Sequence, residues 1–123
     1  MHNHNSQFGK IGEEIATVYL KEKGYQIIQR NYKFSRVEVD IIARVENEII
    51  FIEVKTRTSD QMAYPEQAVG KSKQKNIRLA AENFLEENQI ELPVRFDIIA
   101  VVKNEHKFEI EHIEDAFYPF DVL

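Results

Sequence analysis

Asp40, Glu53 and Lys55 are the residues of this chain whose types and spacing suit chemistry at a phosphate. Side chains on a strand alternate between faces. Glu38, Asp40 and Ile42 therefore project to one side of a predicted strand over Val37 to Ala43, and Ile49, Phe51, Glu53 and Lys55 project together from a second over Glu48 to Lys55. If the connection turns at Glu46 and Asn47, or around a four-residue loop with the same centre, Asp40 lies opposite Glu53 and Glu38 opposite Lys55. Opposed Cβ atoms of an antiparallel pair stand roughly 5 Å apart, close enough for two carboxylates to share a cation. Two acids this near repel each other. In a partly buried place one must bind a proton, or a divalent cation must neutralise both, and the neighbouring Ile42 and Phe51 point to burial.

Mg²⁺, with Mn²⁺ as its substitute, is the natural candidate, because a hard cation takes oxygen ligands and commonly combines one or two carboxylates with substrate phosphate. Lys55, two residues beyond Glu53, would hold or deprotonate an attacking water, or stabilise charge building on phosphorus oxygens. Glu38 is placed to tune that lysine. The plainer reading is an exposed charge ladder of Asp40 and Glu38 against Lys55. The apolar run Ile49 to Val54 around Glu53 argues against it, since acids seldom sit in such a run without a use.

These strands need supporting elements. Phe8, Ile11, Ile15, Val18 and Tyr19 recur at helical steps before Gly24, which predicts an amphipathic helix over Phe8 to Lys23 with a glycine cap. Tyr25 to Lys33 reads as a first strand, ending in a polar turn around Ser35. The Ile49 to Val54 run suits a strand covered on both faces. A loop from Thr56 to Pro65 leads to a long helix with Ile77, Ala80, Ala81, Phe84 and Leu85 facing inward. Val94 to Val102 and Lys107 to Ile113, joined by a turn at Asn104 and Glu105, complete the pattern as two further strands. Helix, three strands, helix and two strands imply an α/β sandwich around a mixed sheet.

With 123 residues, 43% of them hydrophobic, one domain with a single core is expected. There is no cysteine, so disulfides, thiolate metal sites and a cysteine nucleophile are excluded. No run approaches the roughly 18 apolar residues of a membrane span, and the polar start at Met1 to Phe8 lacks a signal-peptide stretch, so a cytoplasmic protein without membrane contact is expected. The net charge of −5 argues against a nucleic-acid partner only on average. Residues 1–78 hold 13 Lys and Arg against 10 Asp and Glu, whereas residues 79–123 hold 3 against 11. Lys71, Lys73, Lys75 and Arg78 form one basic group, and Arg30, Lys33 and Arg36 another. His2, His4, His106 and His112 have no ligand spacing and are read as surface residues.

Asp40, twelve residues, Glu53, one residue and Lys55 match the spacing of the PD-(D/E)xK nuclease superfamily, to which restriction enzymes and archaeal Holliday junction resolvases belong. A more specific likeness runs through Gly9-x-x-Gly12-Glu13, Gly24-Tyr25, Arg30-Asn31-Tyr32, Glu38-x-Asp40, Phe51 to Arg57, Pro65-Glu66-x-Ala68-Val69 and Arg95-Phe96-Asp97. With these motifs the chain resembles the YraN-like family of bacterial proteins, assigned to that fold. The resemblance implies a restriction-endonuclease-like three-layer sandwich with a five-stranded mixed sheet. It also implies that Asp40 and Glu53 ligate the metal, that the Val54 carbonyl and Glu13 add oxygens, and that Lys55 serves the water. Gln67 and Lys73 match positions near the scissile phosphate more loosely, and Arg57, Lys71, Lys75 and Arg78 complete the residues expected to contact nucleic acid. Val37 departs from the pattern, which often has glycine there.

The activity so implied is Mg²⁺-dependent hydrolysis of DNA phosphodiesters, with branched DNA as a substrate and a homodimer as an assembly suggested by the resolvase likeness. The alternative is an accessory nucleic-acid-binding domain of the same fold with little or no turnover. A protein-binding domain using the acidic half from Glu82 onward is a third reading.

Overall fold

A computed structural model describes residues 7–59 and 69–119. The first helix, α1, spans Gln7–Glu22. Its end is set by Gly24, whose φ of +94° is the left-handed conformation that closes a helix. In that geometry the Gly24 N–H donates to the Lys21 carbonyl at 3.0 Å and the Tyr25 N–H to the Leu20 carbonyl at 2.9 Å, satisfying carbonyls the helix would otherwise orphan.

Five strands follow as expected: β1 (Gln26–Phe34), β2 (Val37–Val45) and β3 (Glu48–Thr58), then, after the helix α2 (Lys71–Glu87), β4 (Val94–Asn104) and β5 (Lys107–Ile113). They form one sheet in sequence order. All neighbours are antiparallel except β3 and β4, which run parallel because α2 carries the chain back between them. Tight turns join the antiparallel neighbours, and their first residues, Ser35, Glu46 and Glu105, all have positive φ. The last turn lies at Glu105 and His106, one residue later than expected, because Asn104 still pairs with Lys107.

The two helices cover opposite faces of this mixed sheet, giving the α/β sandwich. Ala16 and Leu20 of α1 pack on Ile41, Ile50, Ile52 and Ile99. Ile77, Ala81 and Phe84 of α2 pack on Ile42, Phe51 and Phe96. The central strand β3 is thus buried on both sides from Ile49 to Val54, which accounts for its unbroken apolar composition around one acid. Among the described residues no helix is long and apolar enough to cross a membrane.

One contact fixes α1 against β3. A Cβ added to Gly12 would fall 2.1 Å from Thr56 Oγ1 and 3.1 Å from Thr56 Cβ, so the helix reaches the strand only because residue 12 has no side chain. Gly12→Ala is expected to destabilise the fold by about 2 kcal/mol through overpacking, despite alanine's better helix propensity. Urea denaturation should show this loss, and Thr56→Ala in the same chain should recover part of it by removing the clashing oxygen.

Candidate functional site

The β2–β3 hairpin has the register that a turn at Glu46 and Asn47 dictates, from Val45 with Glu48 to Ile41 with Ile52. There the ladder stops. Asp40 and Glu53, next in line, are not paired through their backbones. Instead the Asp40 side chain reaches across, and its Oδ2 accepts a hydrogen bond from the Val54 N–H at 2.7 Å. The β2–β3 register is the expected one, but its backbone pairing ends one residue before Asp40 and Glu53 and three before Glu38 and Lys55; on its other side Glu38 stands in register with Lys33 of β1.

The interruption lies beside an irregular residue on β1. Asn31 has φ +54°, a conformation that asparagine tolerates better than most residues. Pairing with β2 steps across it from Arg30–Ile41 to Tyr32–Val39. Strict alternation would put Arg30 and Tyr32 on one face. Arg30 instead pairs with Glu13 and Glu14 of α1, while the Tyr32 hydroxyl donates to Glu87 of α2 and accepts from Asn83. Asp40 occupies the same break on β2, where the first part of that strand is no longer tied to β3.

Glu53 faces α2 and is 3% exposed, and Asp40 is 0% exposed. An ionised carboxylate so deep requires compensation, since the effective desolvation penalty is several kcal/mol per ion. Two ammonium groups supply it. Lys73 Nζ, from the first turn of α2, stands 2.5 Å from Glu53 Oε2, and Lys55 Nζ stands 3.9 Å from the same oxygen. The other oxygen, Oε1, is buried with no hydrogen-bond partner among the described residues.

The two lysines differ in charge state. Burial pushes Lys55 down, the charge of Glu53 pulls it back up, and the adjacent Lys73 lowers it again, leaving Lys55 below the usual lysine range. Burial also opposes the charge on Lys73, but Glu53 outweighs it and holds Lys73 above that range. Lys73 thus keeps its charge, and Lys55 is the group readier to exchange a proton.

Glu13 is buried on α1, where its Oε1 accepts from Asn31 Nδ2 at 3.2 Å and lies 3.9 Å from Arg30. Among the described residues no three His, Cys, Asp or Glu side chains form a group that could hold a metal, so the structure does not bring Glu13 to Asp40 and Glu53. The buried pair nevertheless suits a hard cation. Glu53 offers an oxygen without a hydrogen-bond partner, Val54 is held by its N–H bond to Asp40, and such ions complete their shells with water and substrate oxygens.

The basic group divides. Lys71, Lys75 and Arg78 recur at four- and three-residue steps and so share one face of α2, with Lys71 and Lys75 exposed, whereas Lys73 turns toward Glu53. Arg57 follows Lys55 at the next same-side position on β3. Gln67 lies outside the described residues.

A second polar cluster was not foreseen. The carboxylate of Asp97, fully buried, receives both Arg95 Nε at 2.9 Å and an Arg95 terminal nitrogen at 2.8 Å, together with the Asp115 N–H at 3.0 Å. Arg95 also donates to the Tyr25 hydroxyl at 2.7 Å. His112 is corrected from a surface residue: its side chain is 6% exposed, with Nε2 2.7 Å from Asp97 and Nδ1 3.0 Å from the Tyr19 hydroxyl. It faces inward because β5 turns this residue toward the tyrosines of α1 and the helix end. The chain Tyr19, His112, Asp97 has the order of a proton relay. Burial raises the Tyr19 hydroxyl above its ordinary value, however, which is the wrong direction for a nucleophile, and the cluster is a structural tie between α1, β4 and β5.

Burial opposes the charge of Asp97, but its bonds from His112, Arg95 and the Asp115 N–H together hold the carboxyl below its ordinary value. A depressed pKa contributes stability that is full above the unfolded value near ~3.9 and is lost as pH falls through the lower folded value. Asp97→Asn should therefore reduce the unfolding free energy by about 3 kcal/mol at pH 7, where it removes the nearest carboxylate of Arg95 and leaves only Glu48 and Glu114, at 3.4 and 3.5 Å, among the described residues. Denaturation at a series of pH values should show the gap from wild type narrowing below about pH 4.

The comparisons with known proteins converge. A model of the uncharacterised protein family UPF0102 matches residues 12–101, which include Glu13, Asp40, Glu53, Lys55, Lys73 and Asp97. A UPF0102 protein of Phocaeicola vulgatus is 48% identical over 119 residues, covering 97% of this chain and 98% of that one. Another from Bacteroides thetaiotaomicron is 46% identical over the same length, and one from Flavobacterium psychrophilum is 42% identical over 120 residues and covered completely. The chain belongs to the UPF0102, or YraN-like, family.

Proposed function

We propose that the chain is a divalent-cation-dependent nuclease that hydrolyses phosphodiester bonds in DNA. The observation that carries this reading is the buried Glu53 on the central strand, with an oxygen that has no hydrogen-bond partner among the described residues and two lysines gathered beside it. A purely structural acid would be expected to have its hydrogen-bonding capacity met.

Asp40 and Glu53 would hold Mg²⁺ or Mn²⁺ between them. An ion held by these two carboxylates would supply Lewis-acid stabilisation of phosphoryl oxygen charge and a more acidic water. Asp40 is kept in place by the Val54 N–H, so its carboxylate is already oriented before substrate arrives. Lys55, with its lowered pKa, orients the attacking water and accepts its proton when the amine is neutral. The water oxygen forms the new bond to phosphorus as the bond to the 3′ oxygen breaks, leaving a 5′ phosphate. Lys71 and Lys75 are exposed on α2, Arg78 is half-buried on the same side, and with Arg57 they would hold the strand by its phosphates. Branched or recombining DNA is the substrate the resolvase resemblance favours, and two copies acting together would cut both strands.

A second reading is a nucleic-acid-binding accessory domain without turnover. Lys73 favours it, because its ammonium lies 2.5 Å from Glu53 and offsets that charge from within the chain.

Branched, single-stranded and duplex DNA incubated with Mg²⁺ or Mn²⁺ separate the two. Cleavage is expected from the wild type and absent in EDTA. Asp40→Asn, Glu53→Gln and Lys55→Met should each lower the rate by about a hundredfold or more. Salt-sensitive binding with no cleavage of any substrate supports the accessory reading instead.

A further inference from the structure

We propose that Lys73 is a resident counter-cation that a divalent metal must displace from Glu53, so that occupancy of the metal site and the position of this side chain at the start of α2 are coupled. The inference rests on reading the site as a divalent-cation centre, and adds a competitor from within the chain.

The geometry of Glu53 leaves little room for both cations. Lys73 Nζ lies 2.5 Å from Oε2, while a Mg²⁺ ion binds carboxylate oxygen at about 2.1 Å. An ammonium and a divalent ion on the same carboxylate would repel at contact distance in a place where burial weakens screening. At Asp40 the Oδ2 atom is bonded to a backbone N–H, the amide of Val54.

Lys73 is the cation built to leave. It belongs to a different element from Glu53, and its side chain is 30% exposed, so the ammonium has a path to solvent along its flexible stem. Lys55 is tied to the same strand as Glu53, stands farther away at 3.9 Å, and is less exposed. The first turn of α2 carries no acid, and Glu53 is the acid paired with Lys73. Displacement would relieve Lys55 of a neighbouring positive charge and leave a mobile ammonium beside the site.

The test is the affinity for Mn²⁺ alone, without DNA, read by electron paramagnetic resonance of the free ion. Lys73→Met keeps the length and apolar stem of the side chain and removes its charge. It is expected to bind Mn²⁺ about tenfold more tightly than wild type, within the usual range for coupled binding events. Lys21→Met, which removes an exposed charge from the last turn of α1, should change affinity less than about twofold, as expected of a screened charge.

Thermal unfolding provides a second readout. In EDTA, Lys73→Met should melt below wild type, because Glu53 has lost its nearer counter-ion, and saturating Mn²⁺ should raise its melting temperature more than it raises that of wild type. Equal or weaker Mn²⁺ binding by Lys73→Met, with binding still abolished by Glu53→Gln, overturns the displacement inference and leaves the cation site standing. Absence of Mn²⁺ binding in wild type and Lys73→Met alike overturns both.

Discussion

The charge of Glu53 is the constraint around which this molecule is arranged. Its strand lies in the middle of the sheet with a helix on each face, where a carboxylate has almost no access to water. Leaving such a group without a counter-ion costs several kcal/mol, comparable to much of a small domain's net stability. The two lysines that offset this cost come from the same strand and from the start of the helix that crosses back to β4. The fold thus spends stabilising interactions on keeping a charged group where hydrophobic packing would hold the strand equally well. The proposed function gives this buried, ion-paired carboxylate a use.

The elements around Glu53 show how backbone irregularity serves a site. A regular hairpin would have continued the β2–β3 ladder through Asp40. The left-handed Asn31 on β1 breaks the alternation of that strand, and at the matching place on β2 the Asp40 carboxylate takes the Val54 N–H. Asn31 also holds Glu13 through its amide, so one residue governs both the break in the sheet and the position of the helical acid. On the other side, the glycine at position 12 lets α1 approach Thr56, three residues beyond Glu53. Several residues of the family motifs, among them Glu13, Arg30 and Asn31, therefore meet each other.

Much of this was legible from the sequence. The helical spacing of Ile15 and Tyr19, the glycine at position 24, the apolar run of β3 and the two-residue turn at Glu46 produced the element order, the hairpin register and the double burial of the central strand. Asp40, Glu53 and Lys55 were visible because strand periodicity is simple and acids in apolar runs are rare. What the sequence did not reveal depends on long-range geometry. Nothing in local pattern says that Asn31 takes a positive φ and ends strict alternation, that Lys73 turns inward while Lys71 and Lys75 face solvent, or that Glu13 is bound by Asn31 and Arg30. His112 had no spacing to mark it, because its partners Asp97 and Tyr19 are distant in sequence and meet it only once β5 pairs with β4.

The central claim is that Asp40 and Glu53 share one divalent ion. Crystals grown with millimolar Mn²⁺ and measured for anomalous scattering test it directly. The expected result is a single strong peak about 2.1–2.2 Å from an oxygen of each carboxylate, a distance close to that of Mg²⁺. Diffraction in which no peak lies between these acids, with the Lys73 ammonium still seated on Glu53, would contradict it.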